Sequence, residues 1–146
     1  MASFLDGLDA DLRRSLVAQV RNLWTHTSTA IEGNTLTLGE TAFVLEEGLT
    51  ISGKPLKDHE EVVGYARAID LLNDLANRHE DVSEKDIFLL HRAVQTSVLM
   101  DVFRPVGAWK REPNGTYTVT EDGKQVFIEY APPSDVPDLM REWLDT

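Results

Sequence analysis

Between Asp9 and Thr27 the apolar side chains Leu12, Leu16, Val20, Leu23 and Trp24 recur at steps of four, four, three and one. Such steps place residues on one side of a helix, so this stretch sets the first element of the fold. Its stop lies just beyond, in Ser28-Thr29-Ala30-Ile31-Glu32-Gly33-Asn34. Glycine takes up the left-handed backbone that ends helices without steric cost, and asparagine tolerates it. Glu32 then falls in the last helical turn, where unpaired carbonyls make the local field negative. An exposed carboxylate there costs roughly 0.3–1 kcal/mol. A locally disfavoured charge often marks function, and the simplest need is a cation reached from that helix end. Last-turn glutamates are also often just solvated, and the residues alone leave both readings open.

Further along, turn and cap signals divide the chain into short elements. Thr37-Leu38-Gly39-Glu40 has capping-box spacing and predicts a second helix over 38–47, stopped by Gly48, with Ala42, Phe43, Leu45 and Leu49 inward. Ile51-Ser52-Gly53-Lys54-Pro55 reads as a connector. Asp58, with Glu61 three places on, predicts the cap of a long third helix running to Arg78. Its stripe is Val62, Ala66, Ile69, Leu72 and Ala76, broadened by Val63, Tyr65 and Leu75. Ser83 and Asp86 repeat the capping spacing before a fourth helix with Ile87, Leu89, Leu90 and Val94 apolar. After Met100 three β-prone runs follow, Trp109–Arg111, Thr116–Thr120 and Val126–Tyr130, separated by Pro113-Asn114-Gly115 and Glu121-Asp122-Gly123-Lys124. Asn-Gly and Asp-Gly are strong hairpin signals. Ser134 then caps a last amphipathic helix with Val136, Leu139, Met140, Trp143 and Leu144 inward. The class is mainly α with one β-hairpin, and no repeat or internal domain boundary is evident.

Composition closes off several functions. Fourteen basic residues against twenty-five acidic ones give a net charge of −11, which repels nucleic-acid backbones and anionic membrane surfaces. The chain has no cysteine, so disulfides and thiolate metal sites are excluded. No apolar run approaches the length of a membrane span, and Met1-Ala2-Ser3-Phe4-Leu5-Asp6 lacks a signal-peptide pattern; a cytoplasmic protein is expected. His26, His59, His79 and His91 have no metal-pair spacing. Glu46-Glu47, Glu60-Glu61 and Glu80-Asp81 are neighbours in sequence and therefore diverge on a helix, so they form no acid/base dyad. No phosphate-cradling or nucleophile-elbow motif occurs.

Ser28-x-x-x-Glu32-Gly33-Asn34 resembles the Ser/Thr-x-x-x-Glu-Gly/Asn inhibitory-helix motif of the Fic family, which includes protein adenylyltransferases that move AMP from ATP to a target hydroxyl. Gly53-Lys54-Pro55-Leu56-x-Asp58-His59-x-Glu61 is similar to the family's connector into its long helix. Phe103-Arg104, the hairpin and the Tyr130-Ala131-Pro132-Pro133 exit into Val136-Pro137-x-Leu139-Met140 are similar to its flap and the following helix. The resemblance covers about residues 20–146 in the family's order. It implies an incomplete Fic-like helical bundle with a hairpin flap: inhibitory helix about 9–33, scaffold about 38–97, flap about 105–131 and closing helix 134–145.

The same resemblance implies how little chemistry these residues hold. The family's loop His-x-Phe-x-Asp/Glu-Gly-Asn-Gly-Arg-x-x-Arg does not occur in the 146 residues, so the base, the Mg²⁺ ligand, the phosphate-binding turn and the γ-phosphate arginine are not supplied here. ATP and Mg²⁺ are expected only with a complete Fic active site, and the chain alone is expected to bind no cofactor and no metal. Glu32 matches the inhibitory glutamate that pairs with an arginine of that loop. Ser28 matches the motif hydroxyl, which implies that it orients Glu32 or the partner of Glu32, although hydrogen bonding back to its own helix accounts for a serine there equally well. Gly33 completes the inhibitory set. Ala108, Trp109, Lys110 and Arg111 are the expected target-docking edge of the flap, by strand addition; a structural hairpin is the competing account. The implied partner is the remaining half of a Fic domain. Alternatives are a separate Fic protein, restrained as by a small antitoxin, or a target bound by a non-catalytic module. Apolar faces left open would favour self-association.

Overall fold

The computed structural model describes residues 5, 7–78, 80–95 and 105–146. Among them are helices α1 (Ala10–Ile31), α2 (Leu38–Glu47), α3 (Leu56–Arg78), α4 (Glu84–Val94) and α5 (Val136–Leu144), with strands β1 (Gly115–Val119) and β2 (Gln125–Glu129). The expected Phe103-Arg104 turn, His79 and the scaffold's residues 96–97 lie outside the described residues. Contacts divide the chain into two units, one built on α1 to α3 and the other on most of α4, the hairpin and α5.

In the first unit α1 packs on α2 and α3, and α2 on α3. Thr37 and Glu40 form the capping box that starts α2, and Gly48 ends it at φ 67°. The apolar centre is Leu36, Val44 and Val62, with Ile51 against it. On α3 the expected positions Val62, Ala66 and Ile69 are buried, while Leu72 is half exposed. On α2 the inward pair is Thr41 and Val44, and Phe43 and Leu49 are exposed.

Helix α1 departs further from its apolar pattern. Its buried residues are Asn22, Thr25 and Thr29, whereas Leu12, Leu23 and Trp24 are exposed. Small polar side chains let the helices approach closely, and Thr29 satisfies its hydroxyl on the Thr25 carbonyl of its own helix at 2.9 Å. Asn22 donates to Glu46 at 2.8 Å, and Arg21 reaches Asp70 at 3.5 Å. The apolar stripe is thus not the side that faces α2 and α3.

In the second unit Ser83 and Asp86 form the expected cap of α4: the Ser83 N–H and O–H both donate to Asp86, at 2.9 and 2.6 Å. Strands β1 and β2 pair antiparallel from Gly115↔Glu129 to Val119↔Gln125, closed by a turn with Gly123 at φ 79°. In that turn Asp122 is held below the usual carboxylate range by Lys124 and then the Thr120 hydroxyl. The β-prone run Trp109–Arg111 forms no strand; Lys110 bonds the Asn114 side chain, and the backbone does not join the ladder. The N-cap position of α5 is Asp135 rather than Ser134, its side chain makes no capping bond, and the helix buries no residue.

Candidate functional site: the fixed end of the first helix

Glu32 follows the last residue of α1, at φ −84° and ψ 3°. Gly33, at φ 92°, reverses the chain. The Gly33 N–H donates to the Ala30 carbonyl at 3.0 Å and the Asn34 N–H to Thr29 at 3.1 Å, the paired bonds of a Schellman closure. The last helical carbonyls are therefore partly satisfied, which reduces the field that made an acid unfavourable there. Glu32 is exposed; its N–H donates to the Thr29 carbonyl at 3.1 Å, while its carboxylate forms no hydrogen bond or ion pair among the described residues. Ser28 is half-buried. Its neighbours Thr27 and Thr29 bond back to the helix, but Ser28 has no such bond among the described residues.

The residues after Gly33 are tied to the start of α3. Asn34 donates to the Asp58 carbonyl at 2.9 Å and to the Glu61 carboxylate at 3.0 Å, while its own side-chain oxygen accepts from the Leu36 N–H at 3.0 Å. Thr35 donates twice to the Asp58 carboxylate, from its N–H at 2.8 Å and its O–H at 2.5 Å. Asp58 is only 5% exposed. Burial works to raise its pKa, yet the Thr35 hydroxyl and amide, with Lys57 and His59, hold it below the usual carboxylate range. Asp58 was expected to cap the third helix. The helix begins two residues earlier, after Pro55, which leaves the carboxylate free to receive the loop.

A second ring of bonds supports the first. Lys54 donates to the Thr35 carbonyl at 2.6 Å and lies 3.5 Å from Glu40. Glu40 sits below its ordinary pKa chiefly through the Thr37 backbone and hydroxyl. His59 is buried; its Nε2 accepts from the Ile51 N–H at 2.8 Å, and its Nδ1 meets the Pro55 carbonyl at 2.8 Å, which puts the ring proton on Nδ1. The sequence motif Gly53 to Glu61 is therefore a fastening for the loop that follows Glu32. The signal for it was present: a glycine stop followed by Asn-Thr leaves donors that need acceptors.

The other expected site residues lie in the second unit. The Gly107 N–H donates to His91 Nδ1 at 2.9 Å, and Arg92 donates to the Gly107 carbonyl at 3.2 Å. Trp109 meets Phe88 edge to face at 4.6 Å. Ala108 and Arg111 are exposed. Sequence spacing sets His91 aside as a metal ligand and does not single out Arg92; only the fold brings them to the glycine. Among the described residues no group of three His, Asp or Glu could hold a metal ion, and Glu32 lines neither the groove formed by Arg13, Arg14, Val17, Ala18, Arg21 and Asp70 nor the one formed by residues 81–84, Arg141 and residues 144–146.

The arrangement of helices with a small antiparallel hairpin is shared with solved Fic-domain structures. The chain is similar over 97% of its length to a Fic domain containing signaling protein from Bacteroides thetaiotaomicron, with TM-score 0.79, 27% identity and 50% of that chain covered. It is similar over 96% of its length to Fic-1 from Caenorhabditis elegans, with TM-score 0.67, 28% identity and 38% of that chain covered. In sequence it is 40% identical over 83 residues to protein adenylyltransferase fic-1 of C. elegans, covering 56% of this chain and 16% of the relative. It is 34% identical over 94 residues to protein adenylyltransferase Fic of Culex quinquefasciatus, covering 63% of this chain and 18% of the relative. No family model matches the chain. The fold is Fic-like, and the chain is similar in sequence to part of Fic protein adenylyltransferases, spanning less than a fifth of the length of those two curated relatives.

Proposed function

We propose that these residues form the restraining and target-docking part of a Fic-type protein adenylyltransferase, with Glu32 as the brake on AMP transfer from ATP to a target-protein hydroxyl. One observation carries the reading: the Glu32 carboxylate is exposed and has no partner among the described residues, although the backbone on either side of it is fixed. A carboxylate on a fixed backbone, with nothing among the described residues to pair with, is available to a guanidinium supplied from elsewhere. The 40% identity to a protein adenylyltransferase supports the same reaction class.

In this reading the arginine, the Mg²⁺ ligand and the catalytic base come from a Fic active-site loop outside the 146 residues, and ATP and Mg²⁺ bind only when that loop is present. Ser28 orients the brake and Gly33 sets its backbone. Residues Ala108 to Arg111 receive an extended target segment in the cytoplasm. The chain alone transfers no AMP.

The test is labelled-ATP transfer by the chain with and without a Fic catalytic half. The chain alone is expected to be inactive. In the assembled enzyme Glu32→Gly is expected to raise transfer by about tenfold or more, equivalent to roughly 1.4 kcal/mol. An unchanged rate removes the brake from the reading, and AMP transfer by the chain alone removes the division of labour.

A further inference from the structure

The fastening between the loop after Glu32 and the start of α3 has more parts than loop closure needs. Four side chains, Asn34, Thr35, Asp58 and Glu61, form five hydrogen bonds that all involve Asn34 or Thr35, two and three residues beyond Glu32, and four of the five reach α3. Leu36, the next residue, is 2% exposed and sits in the apolar centre with Val44 and Val62. A helix end with a glycine stop is ordinarily free to fray. Here the peptide beyond the stop is bolted to a second helix, so the position of Glu32 relative to α3 is set within one or two peptide units.

We propose that Asp58 is the positioning residue of the brake: by taking both donors of Thr35 it holds the end of α1 where the Glu32 carboxylate can meet its cation. This rests on the reading of Glu32 given above. Asp58 does not touch the cation, the nucleotide or the target; it acts through the loop. The physical reason is tolerance. Charge pairing and in-line phosphate placement are sensitive to displacements of about 1 Å, whereas three unanchored peptide units could carry the acid several ångströms, at about 3.8 Å between successive Cα atoms. Asparagine at position 58 would keep the shape of the side chain. It would accept less strongly, because both Thr35 donors meet a single carboxylate oxygen of Asp58 and the amide offers only a neutral oxygen in its place.

Two measurements test this. In the chain by itself, Asp58→Asn is expected to speed amide hydrogen exchange at Thr35 and Asn34 by about tenfold or more, with the exchange of α2 amides unchanged. In the assembled enzyme, Asp58→Asn is expected to raise AMP transfer at least about threefold, toward the Glu32→Gly level, and to add nothing when Glu32 is already glycine. A merely structural role would lower transfer in both backgrounds, and that result overturns the proposal. Activation by Glu32→Gly without activation by Asp58→Asn overturns it while leaving the brake intact. If Glu32→Gly itself has no effect, brake and positioning fall together. Should Asp58→Asn fail to fold, Thr35→Ala removes the hydroxyl at an exposed residue and is judged by the same outcomes.

Discussion

At the scale of single residues, Asp58 and two threonines stand apart from the ordinary run of side chains. The Asp58 carboxyl titrates below its ordinary value in the folded chain, because the Thr35 donors, Lys57 and His59 outweigh burial. A depressed folded pKa stabilises the fold at pH above the ordinary aspartate value, and the gain is lost as pH falls through the folded pKa. The thermal midpoint is therefore expected to fall on acidification below about pH 4 more steeply for the natural chain than for Asp58→Asn. Parallel curves would show that the carboxylate is not what holds the loop. Thr25 and Thr41 are fully buried, and their hydroxyls have no hydrogen-bond partner among the described residues. A buried unsatisfied hydroxyl costs about 1–3 kcal/mol. Thr41→Val is accordingly expected to raise stability by about 1 kcal/mol in denaturant unfolding, and a clear loss would mean that the hydroxyl is satisfied in solution.

At the scale of elements, much of the fold was legible because helix ends are local. Thr37 with Glu40, Ser83 with Asp86, and the stops at Gly33 and Gly48 all stand where spacing put them. Thr37→Ala should cost about 1 kcal/mol, measured as a shift of the unfolding midpoint. What spacing could not reveal was partner choice. Apolar periodicity in α1 named Leu12, Leu16, Val20, Leu23 and Trp24, of which Leu16 and Val20 are half-buried and none is buried, whereas the buried residues of the helix are Asn22, Thr25 and Thr29. Periodicity reports which side is apolar and not which side is covered. The role of Asp58 was hidden for a related reason: a carboxylate near a helix start is usually its cap, and only the loop's return from α1 shows otherwise. The run at Trp109–Arg111 had strand composition but no strand to pair with. Near it, Gly107 has φ 67°, and a Cβ there would run into the Arg92 side chain. Gly107→Ala is expected to break the His91 and Arg92 contacts, read as loss of Trp109 fluorescence anisotropy or a shift in its emission. An unaltered spectrum would show that the contact is dispensable.

At the scale of the whole molecule, the apolar side chains outnumber the places that hide them. Tyr117, Val119, Phe127, Leu139 and Trp143 are exposed, as are Leu12, Leu23 and Trp24. Open apolar area of this kind favours association. The chain by itself is expected to self-associate, or to bind a hydrophobic dye and melt broadly; a monodisperse monomer with a sharp transition in sedimentation and calorimetry would contradict this. Among the described residues no helix is long and apolar enough to cross a membrane.

The uneven burial along α1 has a consequence for how the molecule comes apart. No residue of that helix before Asn22 is buried, and its far end is bolted to α3. Warming should therefore peel the rod from its amino end, turn by turn, while the bolted end holds. Whatever loosens this protein first, the acid at position 32 is placed to be among the last things to move.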